Sequence, residues 1–225
     1  MSARVRKTAR PILMSAPMVR ALFDGRKTQT RRIVKPQPPA GYVRHCWYHA
    51  PVYGWTNVLD DFTDNWFKVR CPYGQPGDLL WVRERWTFVN VQRRGDQSEL
   101  VVAYNADGAD LPNRPAIFVH DPDSRWYDAA LGWFDRRKRP SIHMPRWASR
   151  LTLRITDVRV EQLQDISDED AIAEGLMTPS PVVAYRDLWE SIHGPGSWDA
   201  NPWVWVITFE TIHRNVDGAE GRSDG

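Results

Sequence analysis

The chain has 225 residues, 42% of them hydrophobic, with 30 Lys or Arg against 28 Asp or Glu. That is enough chain to bury a sizeable core without metal or disulfide staples. Two cysteines alone, Cys46 and Cys71, and no apolar run long enough for a signal peptide or membrane span argue against a secreted or membrane class, and a cytoplasmic protein is expected.

The near-neutral balance hides a local excess. Residues 1–40 hold ten Lys or Arg against Asp24 alone, which is the pattern of a basic surface for a polyanion. Twelve tryptophans are the other oddity, since such rings either fill cores or offer stacking faces to bases.

In chain order, PILMS at 11–15 reads as a short buried strand. Ser15 is placed as an N-cap, Pro17 sits early, and Val19, Leu22 and Phe23 recur at helical spacing before a stop at Gly25. Arg26, Lys27, Arg31 and Arg32 then crowd around Thr28 and Thr30 on the way into a strand, TRRIVK, with two readings open. The stretch grips an anion, or it places a lysine to activate a threonine hydroxyl.

Residues 36–76 carry Pro, Gly, Tyr and Trp without a sustained period and read as an insertion, as do residues 90–146. Between them PGDLLWVRERWTFV, residues 76–89, reads as one strand after a Pro-Gly turn. Strand alternation there groups Trp81 with Arg83 and Glu84 with Trp86, and one of those faces is a candidate ligand contact, against simple salt pairing and core packing. RLTLRITDVRVEQL at 150–163 alternates as an amphipathic strand. Ser167 with Asp170 resembles a capping box opening the helix DEDAIAEG, a second helix runs over about 183–192, and WVWVITFETI at 203–212 is the last strand. The tails, 1–10 and 213–225, read as flexible.

His45, Cys46, His49 and Cys71 include metal-ligand types, but no C-x-x-C pair exists and adjacent His and Cys rarely share one tetrahedral ion, so no metal and no cofactor is assigned. His143 competes between phosphate contact and packing, and the basic runs from Arg4 to Arg10 and at 136–140 read as solvated faces or phosphate contacts. No glycine-rich phosphate loop, HExxH or G-x-S-x-G is present.

Taken in order, GRKTQTRR after a short helix, PGDLLWVRE, DVRVEQLQDISDEDAIAEG running from strand into helix, and a closing WVWVITFE together resemble an ASCH domain, a relative of the PUA-like RNA-binding barrels. The resemblance covers residues 11–35, 76–86 and 147–212. CPYGQPGD and IHMPRWASR are similar in style to ASCH proteins met in phages and prophages. Such a likeness implies an α+β fold: a single PUA-like domain over 11–212, a small mixed β-barrel with flanking helices, enlarged by the two insertions.

The resemblance also implies a nucleoside or RNA ligand. One branch of small bacterial ASCH proteins removes the acetyl group from the exocyclic amine of acetylated cytidine with a lysine, a threonine three residues later, and a glutamate late in an AxAEG helix. Those positions fall on Lys27, Thr30 and Glu174. In such a set Thr30 attacks, Lys27 takes its proton if burial or neighbouring cations hold it neutral, and Glu174 assists the leaving amine. Arg26 and Arg32 are candidates for holding substrate oxygens, beside Arg83, Glu84 and Trp86. The alternatives are a non-catalytic RNA-binding module, a ribonuclease, and a protein-binding role for the insertions.

Overall fold

The computed structural model describes residues 9–44, 52–57, 67–94, 97–107 and 139–219. Ten strands and four α-helices are seen among them, so the mixed α+β class is observed. Strands β1 (Ala9–Leu13), β2 (Gln29–Ile33), β6 (Leu79–Arg83), β9 (Thr152–Gln162) and β10 (Trp203–Ile212) form a five-stranded sheet in the order β1-β6-β9-β10-β2. That sheet is open, and no closed barrel is found among the described residues. Two further sheets are separate: β3 (Tyr42–Arg44), β4 (Val52–Asn57) and β5 (Phe67–Arg70), and the hairpin of β7 (Trp86–Arg94) with β8 (Gln97–Tyr104). No helix of the described residues is long and apolar enough to cross a membrane.

The described chain divides into two compact units. The first takes residues 9–10, 24–44, 52–57, 67–79 and 154–211. In it β10 presents alternate residues to two different partners, as strand geometry requires. Val204 and Val206 pack with Leu163, Ile166, Ala171, Tyr185 and Trp189, a core supplied by helices α2 (Asp168–Ala173) and α3 (Pro181–His193). On the opposite face Trp205 meets Tyr53 edge to face at 5.0 Å, and Trp203 meets Trp55 at 5.8 Å. Residues 36–76 therefore include ordered β-structure where the sequence suggested irregular surface, because Tyr53, Trp55 and Phe67 give that small sheet an apolar face to bury. The Tyr53 hydroxyl donates to the Val158 carbonyl and fixes it in place.

The second unit takes residues 11–23, 80–94, 97–107, 139–153 and 212–219, with helices α1 (Ala16–Phe23) and α4 (Val216–Ala219). The expected single strand over 76–89 is two, since Glu84 and Arg85 interrupt it between β6 and β7. β7 and β8 occupy a stretch expected to be irregular, and residues 108–138 lie outside those described. Residues 213–219 are not a flexible tail: the Asn215 amide donates to the carbonyls of Arg146, Trp147 and Ser149 at 3.0, 3.1 and 2.7 Å, and its Oδ1 accepts from the Asp217 N–H at 2.9 Å. Those bonds start α4.

Candidate functional site

Gly25 ends α1 in the left-handed region, at φ 71°, which releases the chain toward β2. Residues 27 and 28 are then held between two elements of the first unit. Lys27 forms an isolated antiparallel bridge with Glu174, the Thr28 N–H donates to the Ala173 carbonyl at 2.8 Å, and the Phe209 N–H donates to the Thr28 carbonyl at 2.9 Å. The Lys27 ammonium lies 2.6 Å from Glu174 Oε2 and also donates to the Glu174 carbonyl at 3.0 Å. Both side chains are sealed from water, 0% and 3% exposed. The other carboxylate oxygen, Glu174 Oε1, has no hydrogen-bond partner among the described residues, and Arg31 Nη1 lies 3.8 Å from it. A buried acceptor left this way is an attachment point for a donor.

One helical turn before Glu174, Asp170 makes the neighbouring contact. It accepts from Gln29 Nε2 at 3.0 Å, from Arg31 Nη2 at 2.7 Å and from Arg159 Nη2 at 2.9 and 3.0 Å. Arg31 also donates to Gln29 Oε1 at 2.5 Å and to Glu161 Oε2 at 3.2 Å. The pattern follows from two periods. Residues four apart on a helix share a face, which pairs Asp170 with Glu174, and alternate residues of an extended chain share a side, which groups Lys27, Gln29 and Arg31. Ser167 caps α2 by accepting from the Asp170 N–H at 3.1 Å, as the sequence suggested. The Asp170 carboxylate is engaged by β2 and β9.

Burial is the main influence on Lys27 and pulls its ammonium down from the ordinary lysine range; Glu174 opposes that, and the charges of Arg32 and Arg31 add to it. Burial also pushes the Asp170 carboxyl up, but the Gln29 bond and the cations Arg31 and Arg159 outweigh it and leave it low. The Tyr185 hydroxyl, buried and near Glu174, is held well above its ordinary range. Arg31 lies over the Tyr185 ring at 5.9 Å. The arrangement can hold and pass a proton within a dry pair.

The structure thus joins Lys27 to Glu174, but it puts Thr30 elsewhere. Thr30 is buried and stands opposite Ile207 on β10, next to the pair Arg32 and Trp205. Directly paired residues project to the same side of a sheet, so Thr30 and Arg32 belong to the side of Trp205 and Tyr53, while Gln29 and Arg31 belong to the helix side with Val206. Arg26 donates to Asp24 Oδ2 at 2.6 Å and to the Gly175 carbonyl at 3.0 Å. Arg32 is half-buried, and its charge bears on Lys27, Tyr73 and His193.

The other three candidates lie in the second unit and have structural partners. Arg83 and Trp81 do share a face, with the guanidinium 4.5 Å from the ring centre. The Glu84 carboxylate is gripped by Arg150 through two bonds of 2.8 and 2.9 Å. Trp86 is 1% exposed within a cluster of Val102, Tyr104, Met144 and Ala148. Arg150 itself is sandwiched, 3.9 Å from the Tyr104 ring centre and 4.7 Å from that of Phe23, and reaches Asp107 at 2.8 Å. His45, Cys46, His49, residues 4–8 and 136–138 lie outside the described residues; the Cys71 thiol is buried and pushed up by that burial.

Sequence reading did not place Gln29, Arg159 and Glu161 at the site, took Asp170 only as a capping residue, and took Arg31 only as one of the cations near Lys27. The signal was there in part: Gln29 and Arg31 alternate with the threonines, and Asp170 precedes Glu174 by one helical turn. No family model, no curated protein and no solved structure matches the chain, so the reading of this site rests on its own geometry.

Proposed function

We propose that this chain is an ASCH-type protein, related to the PUA-like barrels, that hydrolyses an amide on a nucleoside: removal of an acyl group from the exocyclic amine of a modified cytidine. The observation that carries the reading is the dry contact of 2.6 Å between Lys27 and Glu174, with Glu174 Oε1 left without a partner. A lysine whose basicity burial lowers is a competent proton acceptor, and an unpartnered carboxylate oxygen suits the N–H of an acylated amine.

In this reaction the Lys27 and Glu174 pair holds its proton on the carboxyl, the Thr30 oxygen attacks the acyl carbon, and the Thr30 proton reaches the neutral Lys27 amine by way of water, the two side chains lying on opposite sides of β2. The proton then moves through Glu174 to the exocyclic nitrogen as the carbon–nitrogen bond breaks. Water hydrolyses the resulting ester on Thr30 and releases the carboxylic acid. Strand pairing assigns Thr30 to the other side of β2 from Arg31, so the substrate has to approach across β2, the last strand in its sheet. Incubation with 4-acetylcytidine, followed by chromatography, tests the reading: cytidine is expected from the native protein and lost with Lys27→Met, Glu174→Gln and Thr30→Ala. Absence of cytidine from the native protein overturns it.

A second reading is favoured by that same strand pairing: a nucleic-acid-binding module in which Lys27 and Glu174 tie α2 to β2 and Thr30 does no chemistry. It predicts RNA affinity that falls steeply with salt and is unchanged in Thr30→Ala. Cleaved RNA on a gel would instead mark the ribonuclease alternative.

A further inference from the structure

The Lys27 and Glu174 contact is supported by a layer that its chemistry does not explain. Asp170 sits one helical turn before Glu174 on α2, and the Glu174 N–H donates to the Asp170 carbonyl at 2.9 Å. The Asp170 carboxylate is fixed by Gln29 and Arg31 of β2 and by Arg159 of β9. Arg31 is fully buried, its Nη1 is 2.5 Å from Gln29 Oε1, and the same nitrogen lies 3.8 Å from the unpartnered Glu174 Oε1. That distance is too long for a hydrogen bond and short enough for a strong field in a dry site.

We infer that Arg31, braced by Asp170 and Gln29, is a positioning residue that turns the Glu174 carboxylate so that Oε2 meets Lys27 and Oε1 keeps an unused acceptor position. The inference rests on the amide-hydrolase reading for its consequence in catalysis. Its geometric content, that the layer orients Glu174, stands without that reading. Three features single out Arg31. Its guanidinium is a rigid planar fork that a lysine cannot reproduce. Its contacts run to two elements, α2 through Asp170 and β9 through Glu161 at 3.2 Å. And it alternates along the chain with Lys27, so one side of β2 carries both the reacting cation and the cation that aims its partner.

The charged or titratable groups facing the pair are Arg31 from β2, Asp170 from α2 and Tyr185 from α3, with Arg159 and Glu161 of β9 behind Asp170, while Arg32 acts on Lys27 by its charge from the other side of β2. A change at Arg31 therefore alters how Lys27 titrates as well as how Glu174 points. A merely structural brace would alter stability alone.

The experiment uses the full chain with 13C-labelled lysine, the Lys27 signal being assigned by its loss in Lys27→Met. Native protein, Arg31→Lys and Asp170→Asn are compared in two readouts: the pH at which the Lys27 signal titrates, and kcat and KM for 4-acetylcytidine. Both variants are expected to displace the Lys27 titration from the native position, and to lower kcat by about tenfold to a hundredfold, the range met for partners that orient metal ligands, with KM little altered. A Lys27 titration displaced in the variants, together with no cytidine from the native protein, removes the hydrolase reading and keeps the orienting role. Unchanged titration, kcat and pH profile in folded variants overturn the role and leave the hydrolase reading in place. If Arg31→Lys fails to fold, the isosteric Asp170→Asn decides.

Discussion

Lys27 and Glu174, 147 residues apart in the chain, meet twice, through an ammonium-to-carboxylate contact of 2.6 Å and through the Glu174 carbonyl at 3.0 Å. A pair so far removed in sequence and so completely dried is costly to separate, because each charge is acceptable only while the other is present.

Removing one partner should therefore be severe. Lys27→Met leaves Glu174 buried without its cation and is expected to cost about 3–5 kcal/mol. Lys27→Met combined with Glu174→Leu removes both charges and should regain most of that loss. Urea denaturation of the two variants against the native protein measures the difference, and equal loss in both would contradict the pair's coupling.

The layer behind the pair predicts an acid response. The Asp170 carboxyl lies below its ordinary range in the folded chain, so its stabilising effect is complete above the unfolded value and is lost as pH falls through the folded one. Stability of the native protein should drop on acidification below the ordinary aspartate range, and Asp170→Asn should flatten that part of the curve. Chemical denaturation repeated across the acid range gives the comparison.

In the second unit Arg150 holds Glu84 and Asp107 while lying between the rings of Tyr104 and Phe23. Arg150→Met strands two carboxylates, one of them buried, and is expected to destabilise by about 3–5 kcal/mol. Arg150→Lys keeps the charge but not the two-pronged grip or the flat stacking surface and should recover only part of it. Thermal and urea unfolding report both.

The turn at Gly74 gives a local test. Its φ is +120°, and a Cβ there would come within 2.5 Å of Asp78 Oδ2 and 2.6 Å of Arg10 Nη1. Gly74→Ala must displace the Arg10 and Asp78 contact of 3.2 Å and adopt a strained backbone, a loss of about 1–3 kcal/mol. An unchanged urea midpoint would show that the turn relaxes freely.

Much of the scaffold was legible where one period dominates. α1, α2, α3 and β10 fall where the spacing of Val19 and Leu22, the Ser167 cap, the inward Leu188 and Trp189, and the run WVWVITFETI place them. In β9 the alternation is seen but changes phase: Leu153 and Ile155 are buried at its start, Val158 and Val160 at its end. The small sheet over Tyr53, Trp55 and Phe67 was not legible, because its aromatic residues bury against Trp203 and Trp205 rather than repeat at a fixed interval. The same limit applies to the site. Lys27 and Glu174 were drawn from a resemblance, whereas the role of Asp170 emerges only once α2 lies along β2 and two periods come into register. Glu84 and Trp86 show the reverse case, where a polar and an aromatic residue that suit a ligand are taken up by Arg150 and by core packing.

In the proposed chemistry the acyl group passes to Thr30 as an ester while Lys27 and Glu174 move the proton. A single turnover with 4-acetylcytidine, quenched in acid and read by peptide mass spectrometry, tests it most directly. An added acetyl group is expected on the peptide containing Thr30, with cytidine released in step and neither product seen in Thr30→Ala. Cytidine formed at the native rate by Thr30→Ala, or no acetylated peptide and no cytidine from the native protein, would contradict it.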